Sequence, residues 1–231
     1  MKPWLSAEYD QLFHKIHQLD ARVITLAGAS PGCGASTQSL WLARRCAEDQ
    51  HNVLLIDLDL SGSGQGYPAS PWQSDGTGEK EVLIHLDHQL DILPQPSSHR
   101  TILDLRQPQI LTTALERWKK SYHYIVCDIG TINAANWQNL PITAISHISD
   151  VSILCLASAQ TTESELLTSM TKLEQGGIHL LGTLINDMSN PSLSQEIIRV
   201  LNGKARWIPN KIKRNLIRYL QHNPVLLGKY Q

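Results

Sequence analysis

Net charge is almost absent from this chain: 20 Lys and Arg against 21 Asp and Glu leave −1 at pH 7. No whole-molecule field then draws it to nucleic acid or to an acidic membrane, and any such contact needs a local patch. Long apolar runs are missing too. No window approaches the length of a membrane span, and residues 1–8 lack an apolar core followed by a small-residue cleavage site, so a cytoplasmic location is expected. The four cysteines, Cys33, Cys46, Cys127 and Cys155, show no CxxC spacing and read as free thiols. The ten histidines form no HExxH pattern. His85-Leu86-Asp87-His88 has no second cluster at a metal-binding spacing and reads as a turn between two short strands. Internal repeats and low-complexity linkers are absent. At 231 residues and 42% hydrophobic content, the chain can bury an ordinary core as one large domain.

The most telling absence is a single lysine. Residues 28–37 read GASPGCGAST, the shape of a phosphate-binding loop of the form GxxxxGK[ST], with Ala35 where the lysine belongs. In such a loop, glycines let backbone N–H groups close on phosphates, the lysine reaches the terminal phosphates and the hydroxyl holds Mg²⁺. Gly32, Gly34, Ser36 and Thr37 are retained. The cradle can therefore still attract phosphate through dipoles while its main mobile positive charge is missing.

The surroundings fit that loop. Residues 23–27 form a short apolar strand leading into it, and residues 36–49 follow as a helix with Leu40, Ala43 and Ala47 on one face. Ahead of them, Leu5, Tyr9, Leu12, Phe13, Ile16 and Leu19 lie at helical spacing. This predicts an amphipathic N-terminal helix within residues 1–21, packed on the body of the protein, and a second segment, 22–231, holding the nucleotide fold. Residues 53–60 and 122–128 are apolar runs ending in carboxylates, Asp57 with Asp59 and then Asp128, as buried parallel strands with functional groups at their C-terminal edge do. Residues 61–80 are turn-forming and polar and predict a long surface loop near the site. Further strands are expected at 90–94, 151–157, 180–186 and 205–208, with helices at 109–120, 162–175, 192–201 and 211–221. The alternation predicts an α/β fold: a mostly parallel, doubly wound sheet flanked by helices, with ligands at the strands' carboxyl edge.

The order of these motifs resembles the MinD/ParA class of deviant-Walker P-loop ATPases, whose loop reads KGGxGK[ST]. The likeness runs from the loop through LLIDLDL (54–60), LDILPQP (90–96), YHYIVCDIG (122–130) and LINDMS (184–189) to WIPN (207–210), covering roughly residues 22–228. Within the class the loop and the LLxDLDL strand are most similar to the CpaE/TadZ proteins of Flp (Tad) pilus assembly. The Ser-Pro-Gly opening looks more like the ATPase domains of bacterial tyrosine kinases of polysaccharide export, although no tyrosine-rich tail is present. The chain also resembles, more remotely, cellulose-synthesis accessory proteins of the BcsQ type.

The resemblance implies that Gly32, Cys33, Gly34, Ala35, Ser36 and Thr37 surround phosphates and that Ser36, Asp57 and Asp128 hold Mg²⁺. It makes Asp57 the acid that orients water or metal, Asp128 the Walker B carboxylate and Asp59 a helper. It places Asn186, Pro209 and Asn210 beside the adenine. Ser30 stands where the class carries its signature lysine, which in relatives reaches the partner's nucleotide, so both lysines are gone. Arg22, Arg44 and Arg45 are not placed in the motif to replace them. The implied ligands are ATP or ADP with Mg²⁺, their binding weakened or lost. The implied protein is a weak ATPase or pseudo-ATPase acting as a homodimer with partners in a cell-envelope pilus or secretion machine, at the pole or the inner face of the membrane. The alternatives are an active ATPase switch for partitioning or positioning and a BcsQ-like factor of cellulose or exopolysaccharide synthesis. Nucleic acid is not an expected partner, although the basic face of residues 211–220 leaves DNA phosphates or acidic lipid as an alternative to plain packing. Cys33, at a helix N-terminus, reads as a small filler ahead of a reactive thiol.

Overall fold

The structure is a computed structural model that describes residues 2–60, 62–133, 136–158, 160–187, and 197, 198, 216, 217, 219 and 220. The chain divides into two compact units, residues 1–186 and 187–231. Of the second, Ile197, Ile198 and Ile217 pack around Leu220, while Leu216 and Tyr219 are exposed. The expected strand at 205–208, Trp207, Pro209 and Asn210 lie outside the described residues, as does most of the expected helices at 192–201 and 211–221.

The first unit follows the alternating pattern. After a single turn at Pro3–Leu5 come α1 (Ala7–Gln18), β1 (Val23–Gly28), α2 (Ala35–Glu48), β2 (Val53–Asp57), the one-turn α3 (Glu79–Val82), β3 (Ile84–Asp87) and β4 (Leu90–Leu93). Then come α4 (His99–Leu105), α5 (Pro108–Trp118), β5 (Tyr124–Thr131), α6 (Ile142–Ile148), β6 (Val151–Ala157), α7 (Glu163–Gln175) and β7 (Leu180–Asn186). The seven strands lie in the order β3-β4-β2-β5-β1-β6-β7, parallel except for β3 on β4.

The central strands are buried along their length because helices cover both faces, which is why their sequences are continuous apolar runs. Alternate residues serve opposite sides. Ile24, Leu26, Val53, Leu55 and Val126 pack with Tyr9, Phe13 and Ile16 of α1 and Leu42, Ala43 and Cys46 of α2. Val23, Ala27, Leu54, Ile56, Ile125 and Cys127 pack with α4, α5, α6 and Leu173 of α7.

Several expectations shift for identifiable reasons. The expected helix over residues 5–19 is shorter at both ends, and Leu5 and Leu19 are exposed. The buried stripe of α2 is Leu42, Ala43 and Cys46 with Gln38 and Ser39, whereas Leu40 and Ala47 are only partly buried. The strand expected over 53–60 ends at Asp57, beyond which the chain turns over the sheet edge. The 61–80 stretch is not simply a surface loop: Trp72 is 1% exposed, with its Nε1 donating to Pro94 O at 2.8 Å, and α3 closes the segment. His85 and Asp87 belong to edge strand β3 rather than to a turn, and His85 Nδ1 lies 2.6 Å from Asp91 Oδ1. Helices α4 and α6 have too few turns to declare themselves by periodicity.

Candidate functional site

β1 is central, and the chain leaves it towards β2 on one side and later returns to β6 on the other, so a crevice opens at the carboxyl ends of β1, β5 and β2. The glycine loop occupies that edge. Its opening is turned inward: Ala29 N donates to Cys155 O of β6, and Ser30 Oγ meets Thr161 Oγ1 at 2.8 Å. Ser30 is buried in this pairing and presents nothing cationic to the crevice.

Gly34 begins α2 with φ +91°, where a Cβ would collide with the Asn186 amide. The first helical bond runs from Gln38 N to Gly34 O, so the amides of Ala35, Ser36 and Thr37 stand ahead of the ladder at the positive end of the helix dipole. Those three amides are what the loop offers an anion. Ala35 is 7% exposed and adds no charge. The three candidate arginines are committed elsewhere. Arg22 donates to the carbonyls of Lys119, Tyr122 and His123, Arg45 pairs with Asp10 and Asp49, and the Arg44 guanidinium lies 4.5 Å from the Trp4 ring centroid.

Beside the loop stand the acids. Asp57 and Asp128 are register partners on β2 and β5, both with no solvent exposure. Burial, opposed by hydrogen bonds and reinforced by the Asp128 charge, pushes the Asp57 carboxyl up to about 7. Burial likewise pushes Asp128 up to about 6, against bonds from the Ser36 hydroxyl and Gln65 that favour its ionised form. Asp59, half-buried, is also raised by burial. Among the described residues, the groups that offset these charges are neutral donors. Gln65 N donates to Asp57 Oδ2 at 2.6 Å, Gln65 Nε2 to Asp128 Oδ2 at 2.8 Å and to Ser36 O at 3.0 Å, and Gln95 Nε2 to Asp57 Oδ1 at 3.2 Å.

The arrangement fits a hydrated divalent cation. The Ser36 hydroxyl beside the Asp128 carboxylate, with Asp57 adjacent, is an all-oxygen donor set of the kind a hard cation takes while keeping several waters. It fits nucleotide phosphates less fully, since the amides are present and both cationic side chains are absent. The structure thus brings together Gly32, Gly34, Ala35, Ser36, Thr37, Asp57, Asp59 and Asp128. The Cys33 side chain points beneath the loop, 2% exposed, while its N–H donates to Ser30 O within the loop; burial raises its thiol. Asn186 Nδ2 donates to Cys33 O at 3.0 Å, which ties β7 to the loop. Gln65 and Gln95 carry no sequence signal of a site role: Gln95 lies within LDILPQP (90–96), and Gln65 lies in a stretch whose composition signals only turns.

No protein-family model matches the chain. Two curated relatives are the tyrosine-protein kinase ptk of Acinetobacter johnsonii, 23% identical over 182 residues, and the tyrosine-protein kinase CpsD of Streptococcus pneumoniae, 26% identical over 185 residues. These matches cover 74% and 72% of the chain, which spans only 24% of the length of ptk but 76% of CpsD. Among solved structures, the kinase domain of Escherichia coli tyrosine kinase ETK superposes with a TM-score of 0.64 at 20% identity, over 77% of this chain and 71% of that one. The septum site-determining protein MinD of Pyrococcus horikoshii, complexed with Mg-ADP, does so with 0.56 at 15% identity, over 85% of this chain and 77% of that one. The motif order, the sheet topology and these likenesses agree: the chain has the nucleotide-binding P-loop fold, and it resembles both the ParA/MinD ATPases and the bacterial tyrosine-kinase domains.

Proposed function

We propose that this protein is a P-loop scaffold that binds nucleotide weakly, hydrolyses it little or not at all, and serves as an assembly or localisation factor for a cell-envelope machine. One observation carries the reading: the Ser36 hydroxyl and the Asp57 and Asp128 carboxylates stand together, while Ala35 and the inward-turned Ser30 supply the phosphate cradle no cationic side chain among the described residues. Charge stabilisation of a transferring phosphoryl group by a positioned cation is worth roughly 10³–10⁵ in rate where it is supplied by an arginine. A site of this kind is better suited to holding a conformation than to turnover. In this reading Ser36, Asp57 and Asp128 hold Mg²⁺ and the amides of Ala35, Ser36 and Thr37 take the phosphates. Asn186 lies towards the base, and two copies of the chain pair to meet their partners. The sequence likeness to CpaE/TadZ proteins supports a pilus machine, and that to BcsQ-type proteins supports cellulose or exopolysaccharide synthesis at the inner face of the membrane.

A second reading is favoured by the relatives: both curated proteins are tyrosine kinases. Titration of the purified chain with Mg-ATP by calorimetry, with phosphate release and phosphotyrosine measured on the same sample, separates the two. The expected result is binding in the high-micromolar range or weaker, with negligible release and no phosphotyrosine. Turnover at a rate normal for ATPases, removed by Asp128→Asn, would refute the scaffold reading, and phosphotyrosine dependent on Asp128 would establish the kinase.

A further inference from the structure

The segment 62–66 lies across the acids, and every contact it makes there comes from a neutral donor. Gly64 N donates to Asp59 Oδ2 at 3.3 Å and Gln65 N to Asp57 Oδ2 at 2.6 Å. The side chain of Gln65 then turns into the space between loop and strand. Its Nε2 uses both protons, one on Ser36 O and one on Asp128 Oδ2. Ser36 and Asp128 are also the residues whose hydroxyl and carboxylate meet as the cation-holding pair. An N–H pointed at a carboxylate oxygen presents the positive end of a dipole to the place a cation would take, and it takes up one of that oxygen's two lone pairs.

Backbone geometry fixes the segment in this position. Gly64 has φ +47°, and a Cβ there would collide with both carboxylate oxygens of Asp57. A side chain at 64 would therefore lift the segment off the acid and withdraw Gln65 from its two partners. Gln95, two residues beyond β4, completes the lining: the two protons of its Nε2 are shared among Asp57 Oδ1, Asp59 O at 2.8 Å and Gly62 O at 3.3 Å, which anchors the start of the segment.

We infer that Gln65 is a built-in occupant of the cation position, and that segment 62–66 is a strap that must lift from Asp57 and Asp128 before a divalent cation can bind. The inference rests on the reading that Ser36, Asp57 and Asp128 form a cation site. In the closed form, hydrogen bonds stand in for the metal's charge on two buried carboxylates, and cation binding exchanges one set of partners for the other. Bound cation is thereby reported on the surface as a freed 62–66 segment next to the glycine loop.

The test uses Mn²⁺ as a spectroscopic probe on the full chain, with and without ATP, comparing the native protein with Gln65→Ala and Asp128→Asn. Each variant is first shown by its melting profile to fold. Gln65→Ala removes two hydrogen bonds that the cation must otherwise break, so Mn²⁺ is expected to bind about tenfold more tightly. Hydrogen exchange supplies a readout independent of affinity. The amides of Gly64 and Gln65 should be protected in the cation-free native protein and lose protection at saturating Mg²⁺. Equal Mn²⁺ affinity in the native protein and Gln65→Ala, abolished by Asp128→Asn, would overturn the strap and leave the cation site standing. No Mn²⁺ binding by either the native protein or Gln65→Ala would overturn both. Binding in Gln65→Ala with unchanged protection of Gly64 and Gln65 in the native protein at saturating Mg²⁺ would overturn the lifting step.

Discussion

Restoring the missing lysine is the sharpest perturbation of this site. Ala35 opens α2 with its amide ahead of the helical ladder, so the first carbons of a lysine there start from the positive end of the helix, beside the three amides offered to phosphate. An ammonium about 4 Å from a terminal phosphate charge gains about 4 kcal/mol at the effective dielectric typical of a protein surface. Ordering the side chain removes up to about 2 kcal/mol of rotamer freedom. The remaining ~2 kcal/mol corresponds to a roughly 30-fold tighter complex. Ala35→Lys is therefore expected to tighten Mg-ATP binding by about that factor in a calorimetric titration, and to leave AMP, which lacks the phosphates the lysine reaches, unchanged. Equal affinity for Mg-ATP before and after the substitution would refute the premise that the cradle is intact and lacks only charge. An equal gain for AMP would show that the lysine acts through general attraction rather than through the loop.

Three further outcomes test the scaffold. Trp72→Ala empties a fully buried site next to Trp118 and leaves Pro94 O without its donor. It should cost about 3–5 kcal/mol in urea unfolding, and a loss below about 1 kcal/mol would mean that the 61–80 segment is not anchored. Thr162→Ala removes the hydroxyl's half of the box that caps α7, Oγ1 accepting from Glu165 N at 3.2 Å and donating to Glu165 Oε2 at 2.8 Å, and leaves the Thr162 N–H bond to Glu165 Oε2 in place. A loss of about 1 kcal/mol is expected, with Mg-ATP binding unaffected. All four thiols are buried and shifted upward by that burial, Cys46 and Cys127 to about 12. Iodoacetamide should label none in the folded chain at pH 8 and all four in urea, and raising the pH to 9 should add little labelling, since thiols with raised values remain protonated. Rapid labelling of Cys33 would restore the reactive-thiol reading.

Much of this molecule is legible in its sequence. Residues 151–157 and 180–186 match β6 and β7 end to end, because apolar runs of strand length between turn residues admit few alternatives. The glycine loop and the terminal acids are legible for a related reason: close backbone approach demands glycine, and although one aspartate ending a strand is an ordinary cap, two such strands beside a glycine loop are not. Short elements were not legible. α4 and α6 have seven residues each, fewer than periodicity needs, and α3 is a single turn.

The sequence by itself determined the alternating fold, the order of its motifs and the absence of a lysine at 30 and 35, because these are properties of local pattern and residue identity. Tertiary structure alone decided what that absence leaves behind. Ser30 faces Thr161 across 131 residues of chain, Gln65 faces Asp128 across 63, and Gln95 faces Asp57 across 38. A glutamine in a glycine-rich turn carries no sign of its partners. Its role arises only when parallel pairing of β2 with β5 sets two buried acids side by side and leaves their charge to be met by whatever donor the folded chain brings across.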